Sequence, residues 1–290
     1  MTAAAAPSEL DIFRDDAAEW LLAHPIVSEN RFTRWFATGA ATDEQLRAFT
    51  VQFSVFSHLF IEAQLRKCIN APDIESYRAG KEILLNELGV SFTPSGSIEG
   101  GTFRFRAGHF EWLAEFATTI GLTWPQIGKR ELGLPSTIAF CDALTHWYGS
   151  HDESTAAGAS YAIENWAAAG FWKDLIAGLR AIKADRMPDM PLGFWTWHDA
   201  LEDQHAAHTQ DELAAAFAKP GFSQERFIRA GLAMLEAVRG FWDGLIRGTD
   251  SAQIEEKSPE CLQAQTRGDL TTSWAESDLG GVFPDLAYGS

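Results

Sequence analysis

Apolar side chains recur at helical spacing along most of this chain, whereas runs that alternate apolar and polar residues, as strands do, are nearly absent. Thr42 begins the longest helix through the capping box Thr-Asp-Glu-Gln, and Pro72 ends it near residue 70. Shorter periodic stretches follow over residues 73–89, 107–120, 136–148, 155–169, 171–185, 194–218 and 223–247, and Asp73 is the predicted N-cap of the first of these. We therefore predict an all-α fold of about seven to nine helices.

One internal segment lacks the helical pattern. Residues 90–105 are predicted to form a loop, and a long loop inside a helical domain is often a lid or a variable insertion. No linker divides the rest, so residues 1–247 are expected to form a single domain. The tail, residues 248–290, is acidic and rich in Ser, Thr and Gly, and we expect it to wrap the surface or to be partly disordered.

Composition narrows the classes of partner and compartment. The 290 residues include 40 acidic and 23 basic ones, for a formal net charge of −17. Nucleic-acid phosphates and anionic membranes require a basic face, so we expect no nucleic acid and no membrane partner. The first residues have no pattern of a secretory signal, and no apolar run approaches the ~20 residues that span a bilayer. Three scattered cysteines without metal spacing favour a reduced cytoplasm.

The informative residues of a helical protein are polar groups on apolar faces. Glu62 lies within an apolar stripe of the long helix, formed by Val55, Leu59, Leu65 and Ile69. A buried carboxylate is unfavourable unless it is paired or bound to a cation. Glu62 is therefore either a metal ligand or the partner of Arg66 in an ion pair between residues four apart.

His109 and Glu164 are the next two candidates. His109 shares its face with apolar residues three, four and seven positions on, and taken alone it fits a core histidine better than a ligand. Glu164 lies among alanines and aromatics, and no Lys or Arg is within a turn of it. A bound metal explains Glu164 better than a salt bridge does, and simple exposure is the remaining alternative.

The segment His198-Asp-Ala-Leu-Glu202-Asp-Gln-His205 is the most specific signal. At about 100° per residue, His198, Glu202 and His205 project from one face of a helix. Two imidazoles and a carboxylate without thiolate suit iron, manganese or zinc. The alternative is a solvated acidic face. The apolar residues around His198 argue against this alternative, because they indicate that part of the helix is buried. His208 lies one turn further along and could be a ligand, could orient one, or could face solvent.

Together these candidates offer three His and three Glu from four helices, enough for a dinuclear site. A ferritin-like bundle needs two Glu-x-x-His pairs, and this chain has only Glu202/His205. The order of the motifs, ending in His-x-x-x-Glu-x-x-His, instead resembles the haem-oxygenase-like diiron oxidases and oxygenases over roughly residues 40–220. The matching positions are Glu62, His109, Glu164, His198, Glu202 and His205.

The resemblance implies a haem-oxygenase-like helical bundle without haem, with these six residues as the metal ligands and the catalytic centre. It implies two Fe(II) ions, with a Mn/Fe pair left open, and O2 as co-substrate. The expected activity is oxidation of a small amino-bearing metabolite in a biosynthetic pathway, with N-oxygenation as the leading choice. Arg66, Arg104 or Arg106 could bind a substrate carboxylate or form surface ion pairs. An external electron donor and a homodimer remain open.

Three alternatives stay in view. The same diiron site could carry out oxidative C–C cleavage or desaturation of an amino or fatty acid. A metal-independent hydrolase similar to thiaminase-type proteins would need Cys141 as nucleophile, although an inert buried thiol is the simpler interpretation of that residue. A protein that binds metal without catalysis is the third.

Overall fold

The structure is a computed structural model and describes the backbone of residues 7–92, 103–105 and 107–250. The side chains of residues 91–92, 103–105, 201–208 and 249–250 lie outside the description. The helices of the described residues are α1 (Glu9–Ala17), α2 (Pro25–Ser28), α3 (Arg31–Phe36), α4 (Asp43–Ile69), α5 (Ile74–Glu87), α6 (His109–Thr119), α7 (Pro135–Ala143), α8 (Glu153–Ala168), α9 (Phe171–Asp185), α10 (Gly193–Phe217) and α11 (Gln224–Asp250).

The all-α prediction is confirmed. Nine of these eleven helices have nine residues or more, and α2 and α3 add two short ones that the sequence pattern does not separate. A π-helical turn continues α1 over Ala18–Leu22, and a second continues α7 over Leu144–Tyr148. None of the helices in the described ranges is long and apolar enough to cross a membrane.

The capping signals act as predicted. Thr42 Oγ1 accepts a hydrogen bond from the Gln45 backbone at 3.2 Å, and Gln45 Oε1 accepts one from the Thr42 backbone at 2.9 Å. These bonds pair two amide groups that the first turn of α4 cannot pair itself. Asp73 begins α5 in the same way by accepting from the Ser76 backbone at 2.8 Å.

The predicted loop over residues 90–105 has structure at both ends. Val90–Phe92 (β1) and Phe103–Phe105 (β2) pair as an antiparallel ribbon, with Val90 opposite Phe105. The prediction of a plain loop is wrong for these two ends, because each is three residues long and too short to show an alternating pattern. Residues 93–102, between the strands, lie outside the described part of the chain.

Helix α8 lies at the centre of the packing and contacts both α10 and α11, while α4 packs against α5. The shared core is aromatic, with Trp195, Trp242 and Tyr148 buried almost completely. The described residues between 7 and 250 group into one compact unit, and α11 ends at Asp250, three residues past the predicted boundary at 247. The division into a domain over 1–247 and a tail over 248–290 stays a prediction, since residues 251–290 lie outside the description.

Candidate metal centre

Three side chains from different helices meet at one point. Glu87 is the last residue of α5, His109 is the first of α6, and His198 lies on α10. Each offers one ligand atom, and these atoms lie within 4.8 Å of one another. Glu87 and His198 are half-buried and His109 is buried.

Gly108 makes the meeting of Glu87 and His109 sterically feasible. A β-carbon at Gly108 would lie 2.7 Å from the backbone oxygen of Glu87, closer than real contacts allow. The glycine therefore lets the start of α6 touch the end of α5. The Glu111 side chain then accepts from the Gly108 backbone at 3.0 Å and secures the first turn that carries His109.

His109 presents a buried nitrogen that no described residue satisfies. Its Nδ1 lies 3.1 Å from Glu87 Oε2 but without hydrogen-bond alignment, so this atom has no hydrogen-bond partner among the described residues. Buried polar atoms are almost always paired, and an unpaired one points to a missing ion or water. A cation shared by His109 and Glu87 would satisfy both groups.

The ring of His198 is held in a defined orientation. Its Nδ1 donates to the Phe194 carbonyl at 2.6 Å, which leaves Nε2 with the lone pair that binds a metal. Trp172 stacks on the His198 ring with centroids 4.9 Å apart. The His109 ring lies edge-on to the same His198 ring, also with centroids 4.9 Å apart. The aromatic neighbours exclude water from one side of the cluster.

Glu87 and His198 line a cavity of about 1020 Å³, a volume that includes the open space at its mouth. Glu164, which is half-buried on α8, lines the same cavity. The predicted ligands His198 and Glu164 therefore line one cavity, and His109 adjoins it through Glu87 and His198. The walls are mainly aromatic and include Phe53, Phe56, Phe60, Trp172 and Phe194.

Glu62 does not belong to this group. Its side chain is exposed and does not line the cavity, so the prediction that it is buried is wrong. Leu65 and Ile69, which define the predicted stripe, are 48% and 71% exposed. Helix α4 is apolar around most of its circumference, so the sequence pattern alone does not identify the face that packs inward. Arg66 is exposed as well.

The structure places the backbone of Glu202 and His205 on helix α10, and their side chains lie outside the description. Helix α10 is continuous from Gly193 to Phe217, so the spacing that aligns them with His198 is retained in the backbone. The side chains of Glu202, His205 and His208 lie outside the described residues, and their assignment as ligands remains a prediction. The same holds for Arg104 and Arg106 as groups that bind a carboxylate.

Glu87 is the candidate metal ligand that sequence reasoning missed. Its neighbours from Ile83 to Ser91 include no Lys or Arg, the same feature that singles out Glu164. Applied to every helix, that criterion would have identified Glu87 too. The two imidazoles and one carboxylate form a mixed nitrogen and oxygen set that suits iron, manganese or zinc. These residues thus fit the kind of metal that the sequence resemblance implies.

No family model matches the chain, and no curated protein matches it either. Solved structures do. A domain of unknown function with a haem-oxygenase-like fold from Shewanella denitrificans superposes with a TM-score of 0.57 at 15% identity, covering 87% of this chain and all of that one.

Two further structures have the same degree of similarity. A CADD-like protein of unknown function from Nostoc punctiforme gives a TM-score of 0.56 at 19% identity, over 85% of this chain and 98% of its own. A TenA homologue from Pseudomonas syringae gives 0.57 at 12% identity, over 85% and 99%. At these identities the likeness concerns the fold, and the haem-oxygenase-like fold predicted from the sequence is confirmed.

Proposed function

We propose that this protein is an O2-dependent non-haem diiron oxidase or oxygenase that acts on a small amino-bearing metabolite, with N-oxygenation as the reaction. The observation that supports it most is the cluster of Glu87, His109 and His198 beside an aromatic cavity, together with a buried His109 Nδ1 that has no hydrogen-bond partner among the described residues. The haem-oxygenase-like fold is compatible with this proposal.

In this proposal Glu87, His109 and His198 hold metal, and Glu164, Glu202 and His205 complete the set. Bound iron would supply O2 activation and Lewis acidity. Glu62, proposed from sequence as a ligand, is replaced by Glu87. Hydroxylation of an amine nitrogen places one oxygen atom of O2 on the product and releases the other as water, so an external donor must supply two electrons and two protons.

The protein's own residues have three tasks in this reaction. The Phe194 carbonyl fixes the tautomer and direction of His198. The stacked Trp172 and the aromatic walls exclude water that would divert a reactive oxidant. The carboxylates of Glu87 and Glu164 place negative charge at the cavity wall, where it favours cations and an amino-bearing substrate.

Anaerobic titration with Fe(II), followed by exposure to O2, tests the proposal. We expect up to two Fe(II) per chain and a transient visible absorption on mixing with O2. His109→Ala and His198→Ala should lower iron binding, whereas His146→Ala, at an exposed histidine, should not. Normal iron binding by both His109→Ala and His198→Ala would contradict the proposal. With a panel of amines, gain of one oxygen in the product mass identifies N-oxygenation and separates it from C–C cleavage or desaturation.

A metal-independent, thiaminase-like hydrolase is the second candidate, since one structural neighbour is a TenA homologue. It requires a reactive cysteine at the cavity. Cys141 and Cys68 are buried and line no part of it, and burial raises the pKa of the Cys141 thiol to about 12. Loss of activity in Cys141→Ala would favour this alternative. Iron binding without O2 consumption would instead favour a metal-binding protein without catalysis.

A further inference from the structure

The cavity carries a second polar group away from the histidines. Lys67 of α4 lies with its Nζ 3.1 Å from Ser160 Oγ and 3.5 Å from both Glu212 Oε1 and Tyr148 Oη. Ser160 Oγ also donates to Glu212 Oε2 at 3.0 Å. Lys67 and Glu212 keep 19% and 30% of their side-chain surface accessible, and both line the cavity.

Two helices place this group and the metal cluster at opposite ends of the cavity. Phe53 packs on Trp172, which stacks on His198, so the start of the α4 wall belongs to the metal end. Lys67 follows Phe53 by fourteen residues, and Glu212 follows His198 by fourteen, about 21 Å of helix rise in each case. Glu164 lies between the two ends, one turn after Ser160.

Lys67 is the one lysine or arginine that lines the cavity among the described residues. Burial on its own lowers the pKa of this amine, but Tyr148 and the carboxylates of Glu212 and Glu164 outweigh burial and hold the pKa above its ordinary value. The ammonium therefore stays charged at neutral pH. Its Nζ lies 3.5 Å from Glu212 Oε1, farther than the ~2.8 Å of a close ammonium–carboxylate contact, and both side chains line the cavity.

Gln64 adds an independent sign of a ligand. This residue is completely buried and lines the cavity. Its Nε2 donates to Tyr148 Oη at 2.7 Å, but its Oε1 has no hydrogen-bond partner among the described residues. A buried amide oxygen without a donor is unfavourable, and an N–H group entering the cavity would satisfy it.

We propose that Lys67, Glu212 and Gln64 form a head-group subsite for an amino acid. Lys67 binds the substrate carboxylate, and Glu212 and Gln64 Oε1 accept hydrogen bonds from the substrate ammonium. The rest of the substrate then extends along the aromatic walls toward Glu164, in the direction of the histidines. Oxidation at the metal end rests on the proposed function, whereas binding of the head group does not need metal. Arg66, exposed on the next position of α4, is not the carboxylate partner.

Calorimetric binding to the metal-free full chain tests the subsite. The probes are the twenty common L-amino acids, followed by the methyl ester and the des-amino acid of the one that binds most tightly. Each analogue loses one charged contact, so we expect at least about tenfold weaker binding for both. Absence of binding by all twenty amino acids, or equal binding of the three forms, would overturn the proposal.

Variants assign the contacts to residues. Lys67→Met should weaken binding of the amino acid at least about tenfold and remove the preference for the acid over the ester. Gln64→Leu should reduce the preference for the amino acid over its des-amino form. Lys81→Met, at an exposed lysine on α5, is the matched control and should bind as the wild type does. Retained discrimination in Lys67→Met contradicts the proposal, while the iron titration reports on the metal centre separately.

Discussion

His109 and Glu87 meet because a single glycine allows two helix ends to touch. The buried Nδ1 of His109 and the Glu87 carboxylate face each other without a hydrogen bond, and His198 completes the group with a ring that the Phe194 carbonyl orients. At the residue scale, the candidate centre is thus a set of ligand atoms whose geometry fits a cation better than it fits the contacts among the described residues.

Glu87→Gln and Glu62→Gln form a matched pair, since each replaces a helical carboxylate by its amide. Glu87→Gln should lower Fe(II) affinity at least about tenfold because it removes a charged ligand. Glu62→Gln should leave affinity unchanged, because Glu62 is exposed and outside the cavity. Anaerobic iron titration of both variants measures this. A larger loss of Fe(II) affinity in Glu62→Gln than in Glu87→Gln would restore the sequence-based assignment of Glu62 as the ligand.

These two glutamates show how far sequence reasoning reaches at a single residue. Both lie in apolar helical surroundings, and the pattern cannot tell which one faces a neighbour. The orientation of α4 depends on the elements that pack around it, which are α5, α7 and the π-helical turn over Leu144–Tyr148. His109 and His198 were identified correctly as residues on inward faces, and the structure places them together. Their role as ligands remains a prediction.

At the scale of elements, close packing of α8 against α11 supports one wall of the cavity. A β-carbon at Gly158 would lie 2.0 Å from the Phe227 carbonyl oxygen, so only glycine lets the two backbones approach this far. Ser160, Ile163 and Glu164 follow on α8 and line the cavity. The position of the cavity wall therefore depends on a residue that is not part of the site.

Gly158→Ala and Gly240→Ala make the same chemical change in two helices. Gly158→Ala forces α8 and α11 apart and should lower the free energy of unfolding by about 1–3 kcal/mol. Gly240→Ala meets no atom within 4 Å and should raise it by about 0.5–1 kcal/mol through helix propensity. Urea unfolding followed by circular dichroism gives both values. A stabilised Gly158→Ala variant would show that the two helices are not in tight contact.

For the whole molecule, buried cysteine and tyrosine side chains make the free energy of unfolding depend on pH in the alkaline range. Burial raises the pKa of Cys141 from its ordinary 9.0 to about 12, and it also raises the pKa values of Tyr148 and Cys68. Between the pKa of each group in the unfolded chain and its raised pKa in the folded protein, the unfolded chain has lost a proton that the folded protein still holds. The free energy of unfolding must then fall as the pH rises, by about 1.4 kcal/mol per pH unit for each such group.

Cys141→Ala should flatten this decline. The variant lacks the thiol, so its free energy of unfolding should fall less steeply than that of the wild type above about pH 9. Urea midpoints measured from about pH 8 to pH 11 provide the two slopes. Any loss of packing at Cys141 shifts the curve at every pH and does not alter its slope. Equal slopes would mean that the folded protein does not protect this thiol.

Caps and helical periodicity are local properties of the chain, so the helical class, the helix limits at Thr42 and Asp73, and the histidines on inward faces follow from the sequence alone. The packing of the helices is what brings Glu87 to His109, leaves Glu62 exposed, and turns Lys67, rather than Arg66, toward the cavity. Each of these outcomes depends on how neighbouring helices rotate and how closely they approach. A glycine such as Gly108 controls that approach through the atoms of a distant backbone, which no local pattern records.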